Sequence, residues 1–322
     1  MSRLRIGTRG SELALFQARA VAALLLTRTG TGCDIVVIRT SGDRLADASL
    51  AQAGGKRLFV KEIEDALLDG SVDLAVHSSK DMPAVLPEGL VLGAVLPRED
   101  ARDAIVLPSD TATLTLDEAV GRLGDAPRIG TSSVRRSAQL RRLFPRARFE
   151  PIRGNLDTRL RKLDAGGFDA IVLAAAGLRR LGYGSRISAL LPPQACVPAP
   201  GQGIIAVEVR HNRADVQDRV ARITDPIAAA ALAAERAVVT RLGGGCQMPI
   251  GAYASTSPSG LDLITIVVSI DGSREVRAEA AGALAEADLV GRRAAEQLLA
   301  AGAAGILAEA DAARADVERL RP

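Results

Sequence analysis

Cysteine and histidine are scarce in this chain, at three and two in 322 residues. Cys33, Cys196 and Cys246 lie far apart with no paired spacing, and His77 and His211 do not join them, so neither a zinc site nor a disulfide framework is supported. Lysine is scarce too: of 41 basic residues only four are lysines, and Lys56, Lys61 and Lys80 fall close together. A lysine kept against such an arginine bias marks a position suited to a compact ammonium, with chance clustering as the alternative. Long hydrophobic runs are also missing. Leu13–Leu26 is apolar but interrupted by Gln17 and Arg19, which makes it an amphipathic helix and neither a membrane span nor a secretory signal core. With 48% hydrophobic and 25% charged residues and a net charge of +3, the chain is neither disordered nor a polyelectrolyte, and nothing argues for a nucleic-acid partner. A reduced, cytoplasmic protein of two or three domains is expected, at about 100–200 residues per domain.

What is present is an α/β grammar. In Asp73–Pro83, Leu74-Ala-Val76 reads as a short buried strand, followed by His77, Ser78, Ser79, Lys80 and Asp81. Ligands of parallel α/β sheets sit beyond the carboxyl ends of the strands, which makes Asp81 the leading catalytic candidate. The alternative is a solvated loop in which Lys80 and Asp81 neutralise each other. Pro83 biases Met82 toward an extended backbone and holds the turn.

Upstream, Leu4–Ile6 is a strand, Gly7–Ser11 a turn carrying Arg9, and Glu12–Thr29 a helix whose N-terminus favours an anion. Asp34–Arg39 is the next strand. Thr40–Arg44 opens a polar segment that includes Asp43, and the glycines of Ala51–Arg57 suggest a mobile lid. Phe59–Leu68 is a helix, and the strands Leu90–Leu96 and Ala104–Leu107 flank a charged crossing, Pro97–Asp103. A second unit repeats the pattern: strand Arg128–Gly130, cap hydroxyls Thr131–Ser133, then a helix Val134–Leu143 with Arg135 and Arg136 in its first turn. Arginines there oppose the helix dipole, a cost that a bound anion would relieve. Between Arg128 and Lys162, eleven basic residues face only Glu150 and Asp157. A solvated basic face accounts for Arg141, Arg142 and Arg146, but less well for Arg135, Arg136 and Arg153, each of which follows a strand.

Strands Arg148–Ile152 and Asp169–Leu173 and a helical turn Ala174–Leu181 complete this unit. A proline-rich crossing, Val197–Gly203, leads to the strand Ile204–Val209, which returns to the first unit, so that two crossings make a two-lobed clamp. Past Asp225-Pro226, a helix to Arg241, the loop Gly243–Pro249, the strands Ile250–Ala254, Leu261–Ile270 and Glu275–Ala280, and two helices form a distinct α+β pattern. The expected domains are 1–102 with 201–222, 103–200, and 223–322.

Cys246 follows three glycines, on a loop whose backbone can approach a ligand closely. Cys33 and Cys196 read as small buried hydrophobes. A nucleophilic Cys246 would want an activating base, whereas a covalent anchor needs none, and neither histidine is clearly placed to serve; this favours attachment.

In order and spacing, Gly7-Thr-Arg, Gly54-Gly-Lys, Leu58-Phe-Val-Lys-Glu62, Val76-His-Ser-Ser-Lys-Asp-Met-Pro83, Gly130-Thr-Ser-Ser-Val-Arg-Arg136, Arg153-Gly-Asn155, Pro200-Gly-Gln-Gly203 and Gly243-Gly-Gly-Cys-Gln-Met-Pro-Ile-Gly251 closely resemble the porphobilinogen deaminase, or hydroxymethylbilane synthase, family over nearly the whole chain. The resemblance implies two periplasmic-binding-protein-like (type II) domains and a third domain with a small antiparallel sheet and helices. It implies a dipyrromethane cofactor held on Cys246 by a thioether, and condensation of four porphobilinogen molecules with loss of ammonia. Asp81 matches the catalytic aspartate. Lys80, Ser78, Ser133, Arg135, Arg136 and Asp43 match cofactor-contacting positions, and Arg9, Arg153, Arg159, Arg180, Lys56, Phe59 and Gln202 substrate-contacting ones. No metal is implied. Gln52 stands where the family commonly has lysine, and Arg57 where it has glycine, so the lid could move or bind differently. The rival readings are a solute-binding module, which would not need Cys246 or the third domain, and a Schiff-base enzyme using Lys80.

Overall fold

A computed structural model of the chain describes residues 3–41, 60–109, 113–244, 248–258 and 260–319; the expectations placed on Asp43, Gln52, Lys56, Arg57, Phe59 and Cys246 lie outside these residues. Strand β1 (Leu4–Thr8) leads into α1 (Glu12–Thr29), whose N-terminus is capped where Ser11 Oγ accepts the Ala14 N–H and which ends on the left-handed Gly30. Then come β2 (Cys33–Val37), α2 (Lys61–Leu68), β3 (Leu74–Ser78) and β4 (Leu90–Val95). The chain crosses into β5 (Asp103–Val106), α3 (Leu116–Leu123), β6 (Arg128–Gly130), α4 (Val134–Leu140), β7 (Arg148–Glu150), α5 (Leu156–Asp164), β8 (Ala170–Ala174), α6 (Ala175–Arg180) and β9 (Ala189–Leu191). It crosses back into β10 (Ile205–Arg210) and α7 (Ala214–Ala221). The last stretch runs through α8 (Pro226–Leu242), β11 (Ile250–Ser257), β12 (Gly260–Val268), β13 (Glu275–Gly282), α9 (Ala287–Ala300) and α10 (Ala303–Arg319).

Two five-stranded sheets have matching orders, β2-β1-β3-β10-β4 and β7-β6-β8-β5-β9. In each, four strands run in one direction, and the fourth position is the single reversed strand, delivered by a crossing and antiparallel to both its neighbours. This is the expected pair of type II α/β units, and it brings the polar ends of β1, β3, β6 and β8 toward the crossings. The third sheet is the antiparallel β11-β12-β13 covered by α8 and α9. Alternation along the strands fills both faces of the parallel sheets: Ile105 packs with Leu140 and Phe144, while Ala104 and Val106 pack with Leu160 and Leu163. Each fully buried aliphatic side chain contributes about 1.5–3 kcal/mol, so the strand ends are held on rigid frames.

Three elements were not expected from the sequence: α3, α7 and β9. The helix expected over Val134–Leu143 stops at Leu140, because the chain tightens into a turn where Leu143 N–H meets the Leu140 carbonyl ahead of Pro145.

Candidate active site

Strand β3 ends at Ser78 and turns at once into a 3₁₀ turn, Ser79–Asp81. The turn is fixed to the second crossing by Ser79 N–H on the Ile204 carbonyl, at 3.0 Å. Asp81 is exposed at its end. Ser78 Oγ exchanges hydrogen bonds with the buried amide of Gln17, at 2.8 and 3.3 Å, so helix α1 braces the strand end. Lys80 Nζ donates to Gln202 Oε1 at 3.3 Å. Burial and the Arg136 guanidinium bring the Lys80 ammonium down to about 8, against the opposing pull of Asp81 and Asp103.

From the second sheet, β6 delivers Ser133, whose Oγ caps α4 by accepting the Arg136 N–H. Arg135 and Arg136 follow, only 5% and 7% exposed. The anion that the sequence seemed to call for at this helix start is a side chain of the chain itself. Asp103, fully buried at the start of β5, accepts Arg135 Nη1 at 2.8 Å on one oxygen and Arg136 Nε at 2.9 Å on the other. Burial alone would raise this carboxyl, but the two guanidiniums overcome it and hold Asp103 well below the usual carboxylate range. Arg135 also donates to the Val197 carbonyl at 2.7 Å, and Arg136 to the Val172 carbonyl at 3.0 Å.

Gln202, expected to meet substrate directly, is instead fully buried, with Nε2 on the Ala101 carbonyl and Asp103 and Oε1 facing Lys80 and Arg136. Arg159, partly buried on α5, is tied by Nε to the Gly154 carbonyl at 2.9 Å. It is pushed down to about 10 by burial and Arg136, with Asp81 opposing. Burial likewise lowers Arg180, whose Nη2 donates to the Gly203 carbonyl at 2.6 Å. Arg9 and Arg153 are partly buried in the turns after β1 and β7.

Of the expected residues, the structure thus brings Lys80, Asp81, Ser133, Arg135, Arg136, Arg159 and Gln202 to one cleft. Lys80, Ser133 and Arg135 line a cavity whose third wall comes from α8 and β11, through Arg236, Val239, Met248 and Ile250. Asp103 and Arg236 were missed. A charged residue opening an otherwise apolar strand was a signal for Asp103, but Arg236 gave none. His77 is buried on β3 with Nε2 3.2 Å from Glu208 Oε2.

Four cations here, Lys80, Arg135, Arg136 and Arg159, share two carboxylates, Asp81 and Asp103, and two of the cations are pushed down by burial. Among the described residues, such a site is short of negative charge. A ligand with several carboxylates fits it, and a dipyrromethane, with an acetate and a propionate on each ring, is of that kind.

Residues 4–218 match the family described as "Porphobilinogen deaminase, dipyromethane cofactor binding domain", and residues 229–300 match "Porphobilinogen deaminase, C-terminal domain". The porphobilinogen deaminase of Syntrophobacter fumaroxidans is 48% identical over 307 residues, which are 95% of this chain and 97% of that protein. That of Moorella thermoacetica is 46% identical over 313 residues, 97% and 98% of the two chains. Among solved structures, the periplasmic VFT2 domain of Bordetella pertussis BvgS covers 68% of this chain and 86% of its own at 19% identity and a TM-score of 0.40, a distant likeness of fold alone. With both family matches in chain order and near half identity along its whole length, the chain belongs to the porphobilinogen deaminase family.

Proposed function

We propose that the cleft between the two parallel sheets carries out the family's reaction, with Asp81 as the catalytic group and Cys246 as the anchor of the dipyrromethane. The reaction is head-to-tail condensation of four porphobilinogen molecules, each losing ammonia, followed by hydrolytic release of the linear tetrapyrrole hydroxymethylbilane. The observation that carries the assignment of roles is the excess of buried and partly buried cations beside one exposed carboxylate.

Loss of ammonia from porphobilinogen leaves an azafulvene cation. Asp81, at the mouth of the turn, stabilises that charge without having to reorient at the moment of reaction. Lys80, Arg135, Arg136 and Arg159 bind acetate and propionate groups, and the planar arginine forks select carboxylates by paired hydrogen bonds. Asp103 keeps Arg135 and Arg136 in place. Ser78 and Ser133 supply further hydrogen bonds, and Arg9, Arg153 and Arg180 extend the cationic surface for a longer chain. When bound, the dipyrromethane supplies the pyrrole carbon on which the first new bond forms.

Anchoring at Cys246 is supported by its neighbours: Val239 near the end of α8 and Met248 before β11 both line the cavity, on either side of that loop. We assign the domains as 1–102 with 201–222, 103–200 and 223–322, a division that gives each one sheet. Two free thiols at Cys33 and Cys196 are compatible with a reducing cytoplasm, and we assign a monomer acting on porphobilinogen there. Among the described residues no helix is long and apolar enough to cross a membrane. The test is incubation of purified protein with porphobilinogen: four ammonia per hydroxymethylbilane is expected, and substrate left unconsumed by protein that carries the two-pyrrole adduct would overturn the reading.

A further inference from the structure

We propose that Gln202 is a positioning residue: its side-chain amide, fixed from behind by Asp103 and the Ala101 carbonyl, holds the Lys80 ammonium and the Arg136 guanidinium on one acceptor and so sets where both cations stand in the cleft. The amide can take only one orientation. Nε2 donates to the Ala101 carbonyl at 2.6 Å and to Asp103 Oδ1 at 2.8 Å, which leaves Oε1 toward Lys80 Nζ at 3.3 Å and Arg136 Nη2 at 3.5 Å. Turned over, the amide would set its oxygen against a carboxylate and a carbonyl, and its N–H groups against two cations that accept nothing.

The backbone of Gln202 is equally fixed. Its N–H meets the Ala199 carbonyl at 2.9 Å, and its own carbonyl accepts Arg98 Nε at 2.9 Å. Gly201 and Gly203 on either side have φ of 74° and 86°. A Cβ on Gly201 would fall 2.6 Å from Ser79 Oγ, so only glycine lets this crossing approach the turn that carries Lys80. The charged groups acting on Lys80 are Arg136, Arg135, Asp81 and Asp103, and among them the uncharged Gln202 oxygen is the acceptor that receives its hydrogen bond.

Lys80 labelling tests this directly. With only four lysines in the chain, competitive acetylation by acetic anhydride over a pH series, followed by peptide mass measurement, reads Lys80 separately, with the exposed Lys61 as internal reference. The holoenzyme is compared with Gln202→Leu and Gln202→Met at equal cofactor content by intact mass. Gln202 Oε1 accepts a stronger bond from the ammonium than from the neutral amine, so its removal is expected to lower the labelling midpoint of Lys80. A midpoint about one pH unit lower gives about tenfold more labelling on its acid side. The rate constant kcat should fall more than KM rises, because the cations are displaced and not removed.

Unchanged Lys80 midpoints in folded, cofactor-loaded variants overturn the proposal. In the unsubstituted enzyme the Gln202 side-chain amide resonance should shift with the Lys80 midpoint, and an amide indifferent to that titration overturns it whatever the variants do. The proposal rests on the functional reading above only for the carboxylates these cations meet. A chain that failed to consume porphobilinogen but displayed the midpoint shift would refute that reading and support the Lys80–Gln202 bond.

Discussion

Arg98 Nη1 lies 2.6 Å from Glu235 Oε1, although 137 residues separate them in sequence and one belongs to the first crossing, the other to helix α8. Glu235 also accepts the Ala254 N–H at 2.7 Å and the Gly201 N–H at 2.6 Å, while Arg98 sits over the Tyr253 ring at 4.9 Å. A single buried carboxylate therefore ties both crossings to the third sheet.

Replacing Glu235 by Ala leaves a mostly buried guanidinium and two backbone N–H groups without their acceptor. A loss of about 3–5 kcal/mol is expected, as for other buried pairs with one partner removed. Urea denaturation measures it. A loss below about 1 kcal/mol, typical of exposed pairs, would mean that the joint is not held by this carboxylate.

Asp81→Asn replaces an exposed carboxylate at the end of the turn with an amide of the same shape, so the variant should fold and load cofactor. Turnover is expected to fall by ~10² to 10³, the range seen when a fixed group that stabilises a developing charge is lost. Ammonia release near the unsubstituted rate would take Asp81 out of the mechanism.

Three arginines of one basic stretch should behave differently. Arg135→Leu strips one of two guanidiniums from buried Asp103, and a stability loss on the order of 3 kcal/mol is expected along with lost cofactor. Arg153→Leu should keep the fold and slow chain assembly by about tenfold or more, since a charge-assisted hydrogen bond is worth about 1.5–3 kcal/mol. Arg142, paired with Glu275 on an exposed face, should change either property little, within about 1 kcal/mol. Equal losses in all three would point to a diffuse basic surface.

These contrasts also mark how far local sequence could be read. The polar ends of β3 and β6 stood out because an apolar run stops abruptly there, and a strand end is a property of neighbouring residues. Asp103 did not stand out as the partner of Arg135 and Arg136, because it lies 32 and 33 positions away and reaches them only when the crossing delivers β5 between β8 and β9. The first-turn arginines were read as wanting an anion, and the structure sets Asp103 against both of them. The partners of Gln202 were hidden for the same reason, Ala101 and Asp103 being about a hundred residues distant. Helix α3 was legible in principle, since Thr115 and Glu118 form a capping box. Helix α7 has no side-chain cap, and β9 is three residues long, so neither announces itself.

The depressed Lys80 ammonium sets a pH dependence. Its folded value of about 8 lies below the ordinary lysine value, so Lys80 is charged below about 8 and loses its charge as pH rises through it. Binding of porphobilinogen carboxylates that rely on it should weaken on the alkaline side, with KM rising. Bound carboxylates favour the ammonium and move this limb upward in loaded enzyme. For stability the sign is opposite: burying the ammonium disfavours the charged folded form, so this residue's contribution improves as pH rises from about 8 toward its unfolded value. Lys80→Arg, permanently charged, should flatten the alkaline rise of KM even at a reduced rate; an identical rise in that variant would assign the limb to another group.

The proposed attachment at Cys246 would separate this enzyme from a two-lobed binding protein. The other two thiols are poor candidates for attachment. Cys196 is fully buried, and burial together with Asp103 pushes its thiol up to about 12; burial also raises Cys33. A thiol so raised holds almost no thiolate at neutral pH, and the thiolate is the nucleophile. Purified protein should therefore carry a two-pyrrole mass adduct that maps to the Cys246 peptide and reacts with Ehrlich's aldehyde reagent, and Cys246→Ser should lack both. Cys33→Ser should keep adduct and activity. Cys196→Ser should keep the adduct with a modest stability change, because its sulfur lies 3.5 Å from Arg135 Nη1 and from Asp103 Oδ2. The adduct would bridge the third sheet to the cations of the other two, so its loss in Cys246→Ser should also lower the melting temperature, as removal of any ligand bound only by the folded state does. Active protein with an unmodified Cys246 would rule out attachment there, whereas an adduct lost in Cys246→Ser alone leaves a mere solute-binding role unable to account for it.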